Sequence, residues 1–165
     1  MATAALLLAA CASTPRVSAP GASTPGAQIN AAHGAALPSA PEQRRVMIAN
    51  ALGMLGQPYR WGGAAPGGFD CSGLVYYAAA GAGVHLPRTA DEQRRLGSAV
   101  SRKNLEPGDL IFMHLARKEL HVGIALDGAR FIHAPSSGGR VRIDSIAAAP
   151  YAAGFIGARR VIDDR

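Results

Sequence analysis

Cys71 lies in the run Phe69-Asp70-Cys71-Ser72-Gly73-Leu74, and His121 follows fifty residues later in Leu120-His121-Val122-Gly123-Ile124. A thiol and an imidazole are the two parts of a cysteine nucleophile. The imidazole takes the thiol proton and later returns it to a leaving amine. Asp70 is a residue type that caps helices, so Cys71 is expected in the first turn of a helix. The partial positive charge there favours thiolate, and an ion pair with His121 is expected. A second histidine, His133 in Phe131-Ile132-His133-Ala134-Pro135, can orient the first. Cys71, His121 and His133 are also three candidate zinc ligands. No Cys-x-x-Cys or His-Glu-x-x-His spacing accompanies them, so neither a metal nor another cofactor is expected.

Several elements must position these residues. Ser39 and Glu42 have the spacing of a capping box, with Pro41 in the first turn. Val46, Ala49, Leu52 and Leu55 then mark one face of a helix that Gly56 and Pro58 end. A Gly-rich loop from Tyr59 to Gly68 leads to a second helix, Cys71 to Ala80, with Leu74, Val75 and Ala78 toward the core. Trp61 reads as an anchor packed under that loop, and Gln93 as a helix-surface amide or a residue that reaches the groove. Thr89 is expected to cap a short helix through Leu96. After Pro107-Gly108 the pattern turns to strands over 109–113, 120–126, 130–134, 140–143 and 155–162. This order gives an α+β fold, with N-terminal helices packed on a mostly antiparallel sheet of five to six strands.

Strand parity constrains the two histidines. Leu120, Val122, Ile124 and Leu126 share one face of their strand, and His121, Gly123 and Ala125 the other. The small residues beside His121 suggest that the Cys71 helix packs on that face. A two-residue turn at Asp127-Gly128 would put His121 and His133 on opposite faces. A three-residue loop, Asp127-Gly128-Ala129, or a bulge would put them on the same face. The chemistry requires the second arrangement, with His133 bonded to the His121 nitrogen that points away from Cys71.

The chain has 165 residues, 48% hydrophobic and 17% charged, with a net charge of +6. That is enough for one folded domain and is not a disordered composition. The basic balance suits an anionic polymer or membrane face. No stretch interleaves aromatics with clustered Lys and Arg, so nucleic acid is not an expected partner. Residues 2–10 form an apolar run too short to cross a bilayer but suited to a signal peptide. The run ends Leu8-Ala9-Ala10-Cys11 without a preceding Lys or Arg. Residues 11–40 are Ala, Ser, Thr, Pro and Gly with few large apolar side chains, and read as a tether. The folded domain is expected over 41–165.

Six motifs now stand in order: Tyr59-Arg60-Trp61-Gly62-Gly63, Phe69-Asp70-Cys71-Ser72-Gly73-Leu74, Leu86-Pro87-Arg88-Thr89, Pro107-Gly108-Asp109-Leu110-Ile111-Phe112, His121-Val122-Gly123-Ile124 and Phe131-Ile132-His133-Ala134. Together, over 42–160, they resemble the NlpC family of cell-wall cysteine peptidases. The resemblance implies a papain-like fold and hydrolysis of amide bonds in peptidoglycan stem peptides through an acyl-enzyme. It implies Cys71 as nucleophile, His121 as base, His133 as the orienting residue, and the Tyr59 hydroxyl beside the oxyanion. It implies that Asp70 and Ser72 line the substrate groove, which Arg88 can also reach. The chain departs from the family at Ala90, where serine is common, and at Ala152, where an aromatic often stands. A non-catalytic wall-binding protein and an amidase or acyltransferase with the same Cys-His pair are the competing readings.

The end of the apolar run resembles a bacterial lipobox, which implies lipid on Cys11 and a monomer anchored at the inner face of the outer membrane, facing the periplasm. A soluble exported protein is the alternative. With lipid on Cys11, Cys71 has no disulfide partner. Cys11→Ser is expected to move the protein from the membrane fraction to the soluble periplasmic fraction, checked by fractionation. Unchanged membrane association would remove the anchor.

Overall fold

The computed structural model describes residues 39–115, 119–137 and 139–163. The expected signal peptide, Cys11 and the expected tether up to residue 38 lie outside the described residues. No described helix is long and apolar enough to cross a membrane.

Helix α1 spans Ala40–Leu52 with Ser39 at its N-cap and Pro41 in its first turn. The Ser39 side chain makes no cap bond. Glu42 instead pairs with Arg45 one turn on, at 2.6 Å, so the expected capping box does not form. The buried stripe is Met47 and Ala51, four residues apart, while Ala49 and Leu55 are exposed. Of the expected face, Val46 and Leu52 pack against the core at the edge of this stripe, Ala49 lies on the solvent side of the helix, and Leu55 falls in the turn after its end at Leu52.

A small hairpin follows, β1 (Ala64–Ala65) with β2 (Gly68–Phe69), inside the loop the sequence left irregular. Helix α2 spans Cys71–Ala80 as expected, with Asp70 accepting from the Gly73 N–H at 2.7 Å. Thr89 caps α3 (Ala90–Gln93) through a full capping box with Glu92, and the helix ends three residues short of Leu96. Strand β3 (Ser98–Val100) has no counterpart in the sequence reading. Then come β4 (Leu110–His114), β5 (Leu120–Ala125), β6 (Arg130–His133), β7 (Arg142–Ser145), the short α4 (Tyr151–Gly154) and β8 (Phe155–Arg160).

The sheet has six strands in the order β3-β8-β4-β5-β6-β7, antiparallel throughout. Leu74, Val75 and Ala78 of α2 pack with Phe112, Val122, Ile124 and Ile132 on one sheet face. Each large aliphatic side chain buried there contributes about 1.5–3 kcal/mol. Ile111, Met113, Ala125, Phe131 and Tyr151 form a second cluster on the other face. So α2 covers the Val122 face, not the His121 face. The larger apolar side chains give it the better packing surface. The small Gly123 serves β6 instead: a Cβ there would lie 2.6 Å from the Phe131 ring and 3.1 Å from the His133 Cβ.

The β5–β6 hairpin takes the three-residue loop. Leu126 N–H donates to the Arg130 carbonyl at 2.9 Å. The Asp127 carboxylate accepts from the N–H groups of Ala129 and Arg130 at 2.8 and 2.7 Å, which folds the loop around one side chain. Ile124 therefore opposes Ile132 and Ala125 opposes Phe131, and His121 and His133 share a face.

A close approach fixes α2 against the loop before it. A Cβ on Gly73 would lie 2.0 Å from the Gly63 carbonyl oxygen, which accepts from the Asp70 N–H at 3.0 Å. Gly73→Ala must push that backbone away, and is expected to destabilise the fold by about 1–3 kcal/mol. Denaturant unfolding checks this, and wild-type stability would show that the loop yields freely.

Candidate active site

Cys71 stands at the first position of α2, a free thiol, partly buried. Its surroundings are built by Asp70. The Asp70 carboxylate accepts from Gly73 N–H, Gly62 N–H at 3.0 Å, Ser72 Oγ at 3.2 Å, and both terminal nitrogens of Arg88 at 2.9 and 2.6 Å. Arg88 also donates to Ser72 Oγ at 3.0 Å and the Gly63 carbonyl at 3.2 Å. Burial disfavours the Asp70 charge, but these donors outweigh it and hold the carboxyl below its ordinary value. Gln93 is fully buried, not on the helix surface. Its amide donates to the Ser72 and Pro87 carbonyls at 3.1 and 2.9 Å.

Burial pushes the Cys71 thiol up, against the pull of the backbone N–H groups of Val122, Ser72 and Cys71 itself. The Asp70 charge acts in the same upward direction. The helix N-terminus alone predicts a thiolate, but desolvation of the sulfur is the larger effect. His121 is 6% exposed, and burial lowers it to about 3, helped by His133 and Arg142. Burial lowers His133 to about 4, against the partial rescue of Asp144. The cleft thus favours a neutral thiol beside a neutral imidazole over the expected ion pair.

The two imidazoles are directly bonded, His121 Nε2 to His133 Nδ1 at 2.7 Å, with rings at 87°. His133 Nε2 meets Asp144 Oδ2 at 2.9 Å. That oxygen also accepts from Arg142 Nε at 2.8 Å and the Tyr151 hydroxyl at 2.6 Å. Burial opposes the Asp144 charge, but Tyr151, Arg142 and His133 together hold its carboxyl below its ordinary value. An ionised carboxylate only accepts, so His133 Nε2 carries the proton. Neutral His133 then accepts at Nδ1, so His121 Nε2 carries its proton. The lone pair of His121 is left on Nδ1. The sequence reading missed Asp144, Arg142 and Tyr151. The signal available was alternation: once β7 pairs His133 with Arg142, Arg142 and Asp144 fall on the face of His133.

Cys71, His121 and Tyr59 line one cavity of about 220 Å³. A second one of about 550 Å³, which shares Tyr59, Trp61, Cys71 and Leu120 with the first, is lined also by Asp70, Ser72 and Arg88. The structure thus brings every sequence-predicted site residue of the folded domain to one cleft except His133, which lies fully buried behind His121. Burial, then the charges of Cys71, Asp70 and Glu119, raise the Tyr59 phenol, so it stays protonated and able to donate. Trp61 is not packed under its loop. It is 86% exposed at the rim of both cavities.

A thiol opening an α-helix, faced by a histidine on an antiparallel sheet and a further polar chain behind it, defines the papain-like class of cysteine hydrolase sites. Residues 56–160 match the NlpC/P60 family, and the chain belongs to it. It is 38% identical over 124 residues to the murein DD-endopeptidase MepH of Escherichia coli (strain K12), covering 72% of this chain and 46% of that protein. Among solved structures it is similar to an NlpC/P60 family protein from Bacillus cereus ATCC 10987, with a TM-score of 0.70 and 31% identity over 77% of this chain and 42% of that one. It is also similar to the peptidoglycan hydrolase RipB from Mycobacterium tuberculosis, with a TM-score of 0.66 and 32% identity over 75% of this chain and 67% of that one. The chain thus spans about half the length of the curated endopeptidase it matches.

Both buried histidines have folded-state values below their ordinary one, so the unfolded chain binds more protons below pH 6.5. Stability is expected to be highest above pH 6.5 and to fall as pH drops toward 4 and 3. The slope is at most about 1.4 kcal/mol per pH unit for each proton. Denaturant unfolding at several pH values measures this. Stability unchanged between pH 7 and 4 would contradict the burial of neutral imidazoles.

Proposed function

We propose that this chain is a peptidoglycan endopeptidase that hydrolyses amide bonds of wall stem peptides by thiol chemistry at Cys71. The observation that carries the reading is the one-way hydrogen-bond chain from Asp144 through His133 to His121, which leaves a proton acceptor on His121 Nδ1 in the cavity that holds Cys71. The names of its relatives, a murein DD-endopeptidase and a peptidoglycan hydrolase, agree with it.

In this mechanism His121 Nδ1 takes the Cys71 proton as sulfur attacks the amide carbonyl. The Cys71 backbone N–H and the Tyr59 hydroxyl donate to the oxyanion. His121 then delivers its proton to the leaving nitrogen as the C–N bond breaks, leaving an acyl thioester. Water, deprotonated by the same imidazole, hydrolyses it. His133 and Asp144 keep the imidazole in the right tautomer and stabilise the transient imidazolium. Asp70, Ser72 and Arg88 line the larger cavity, where the substrate's acyl part binds. With lipid on Cys11 the monomer would act from the periplasmic face of the outer membrane.

Cys71→Ala is expected to abolish release of wall fragments while leaving the fold intact, checked by mass spectrometry of digested wall. Retained turnover would sink the nucleophile assignment. Asp144→Asn can donate to His133 and reverse the chain, placing the His121 proton on the wrong nitrogen. It is expected to lower kcat by orders of magnitude, up to about 10⁴-fold, with KM little changed. Wild-type kcat in a folded Asp144→Asn protein would show that the tautomer is set elsewhere.

A further inference from the structure

The helices cover one face of the sheet unevenly. Leu110 and Phe112 of β4 join α2 in the larger core cluster, with Val122, Ile124 and Ile132 beside them. Among the described residues, none of β3 or β8 joins that cluster. The register shows what these two strands present there instead. Arg159 stands opposite Leu110 and Ala99, and Gly157 opposite Phe112. Opposed residues share a face, so Arg159 and Gly157 project to the side of α2, beyond its cover.

A cavity of about 240 Å³ lies on this part of the sheet. Gly157 lines it, and an added Cβ there would meet nothing within 4 Å. Ala99, Val100 and Ile156 give it apolar walls. Two guanidiniums line it as well, Arg159 from the strand and Arg94 from the end of α3, and no carboxylate does. Neighbouring charges are already matched. Arg160 is bound to Asp109 and Glu106, Arg95 to Asp91, and Glu92 to Thr89. Arg94 and Arg159 have no hydrogen bond, ion pair or ring contact with any described residue. Arg159 is nonetheless half-buried.

Two unpaired cations beside one void repel each other, and the half-buried one has lost part of its hydration. An anion between them relieves both costs. One guanidinium fork already matches a carboxylate. A phosphate monoester carries about two negative charges and three free oxygens, and matches two forks. We propose that Arg94 and Arg159 form a binding site for a phosphate monoester, with the phosphoryl group between the two guanidiniums and its organic part against Ala99 and Ile156. This cavity shares no lining residue with the cleft of Cys71, and the site does not rest on the hydrolysis proposed above. A soluble ester and a lipid headgroup both offer this chemistry.

The full chain is titrated with glycerol 3-phosphate by calorimetry at fixed ionic strength, with acetate as the carboxylate control. Saturable binding of one phosphate ester per chain is expected, and none of acetate. Arg94→Gln and Arg159→Gln should each weaken it about tenfold or more, because each removes a charge-assisted contact. Arg45→Gln deletes a cation on α1 and should leave the affinity unchanged. Neither cavity arginine has a partner to orphan, so both variants should unfold at the wild-type denaturant midpoint. Sedimentation with phosphatidylcholine vesicles, with and without phosphatidic acid, separates the sources. Capture by phosphatidic acid that falls in both variants would assign the lipid headgroup. Binding of the soluble ester without that capture would assign the soluble source. Saturable binding of neither probe, an affinity that survives both substitutions, or equal binding of acetate would overturn the site.

Discussion

The acceptor-only character of one carboxylate orders the whole site. Asp144 has no proton to give, so each bond that leads away from it has a fixed direction. The chain ends on His121 Nδ1, which is left with its lone pair. A donor in place of Asp144 would reverse every bond and protonate that nitrogen. Arg142 and Tyr151 keep the carboxylate ionised by bonding the same oxygen. They lie behind His133 and line neither cavity of the cleft.

This wiring demands burial, and burial has consequences. The Asp144 chain is dry at His133, which is fully buried between Phe131 and Tyr151, with ring centroids 4.5 and 5.2 Å away. Desolvation keeps both imidazoles neutral, which suits a base, and it also makes the domain acid-sensitive. The same desolvation lifts the thiol. Backbone N–H groups around the sulfur work the other way but are outweighed, so the thiol keeps its proton. Buried polar groups that are all paired also define one geometry, because any slip leaves a donor or acceptor unmet.

Asp70 does for the Cys71 thiol what Asp144 does for the histidine pair. It caps α2, holds the Gly62 backbone and is gripped by Arg88. The Gly63 carbonyl, in contact range only because Gly73 lacks a side chain, closes the arrangement. The loop that carries Tyr59 and Trp61 is thereby tied to the helix that carries Cys71. Two short-range devices, a cap and a glycine contact, thus set the distance between the nucleophile and the walls of its cleft.

Much of this was legible in the residues. Asp70 as a cap, the start of α2, the Thr89 cap and the five principal strands follow from local rules that act within a few positions. The family motifs carried the chemistry of Cys71 and His121. Parity reduced the histidine question to a choice between two loop lengths, and the chemical requirement chose the one that forms. Only the tertiary structure decided the rest. Asp127 could turn the chain in two residues or three, and its side-chain bonds to Ala129 and Arg130 settle which. Gly123 looked like room for a helix and proved to be room for Phe131 and His133, because packing partners are chosen by whole surfaces. Asp144 was silent because the expected strand over 140–143 stopped one residue before it, whereas β7 runs to Ser145, and its meaning appears only when β6 lies beside it. A sequence fixes what a side chain can donate or accept; which partner it meets depends on strand pairings far apart along the chain, set by the burial of the sheet as a whole.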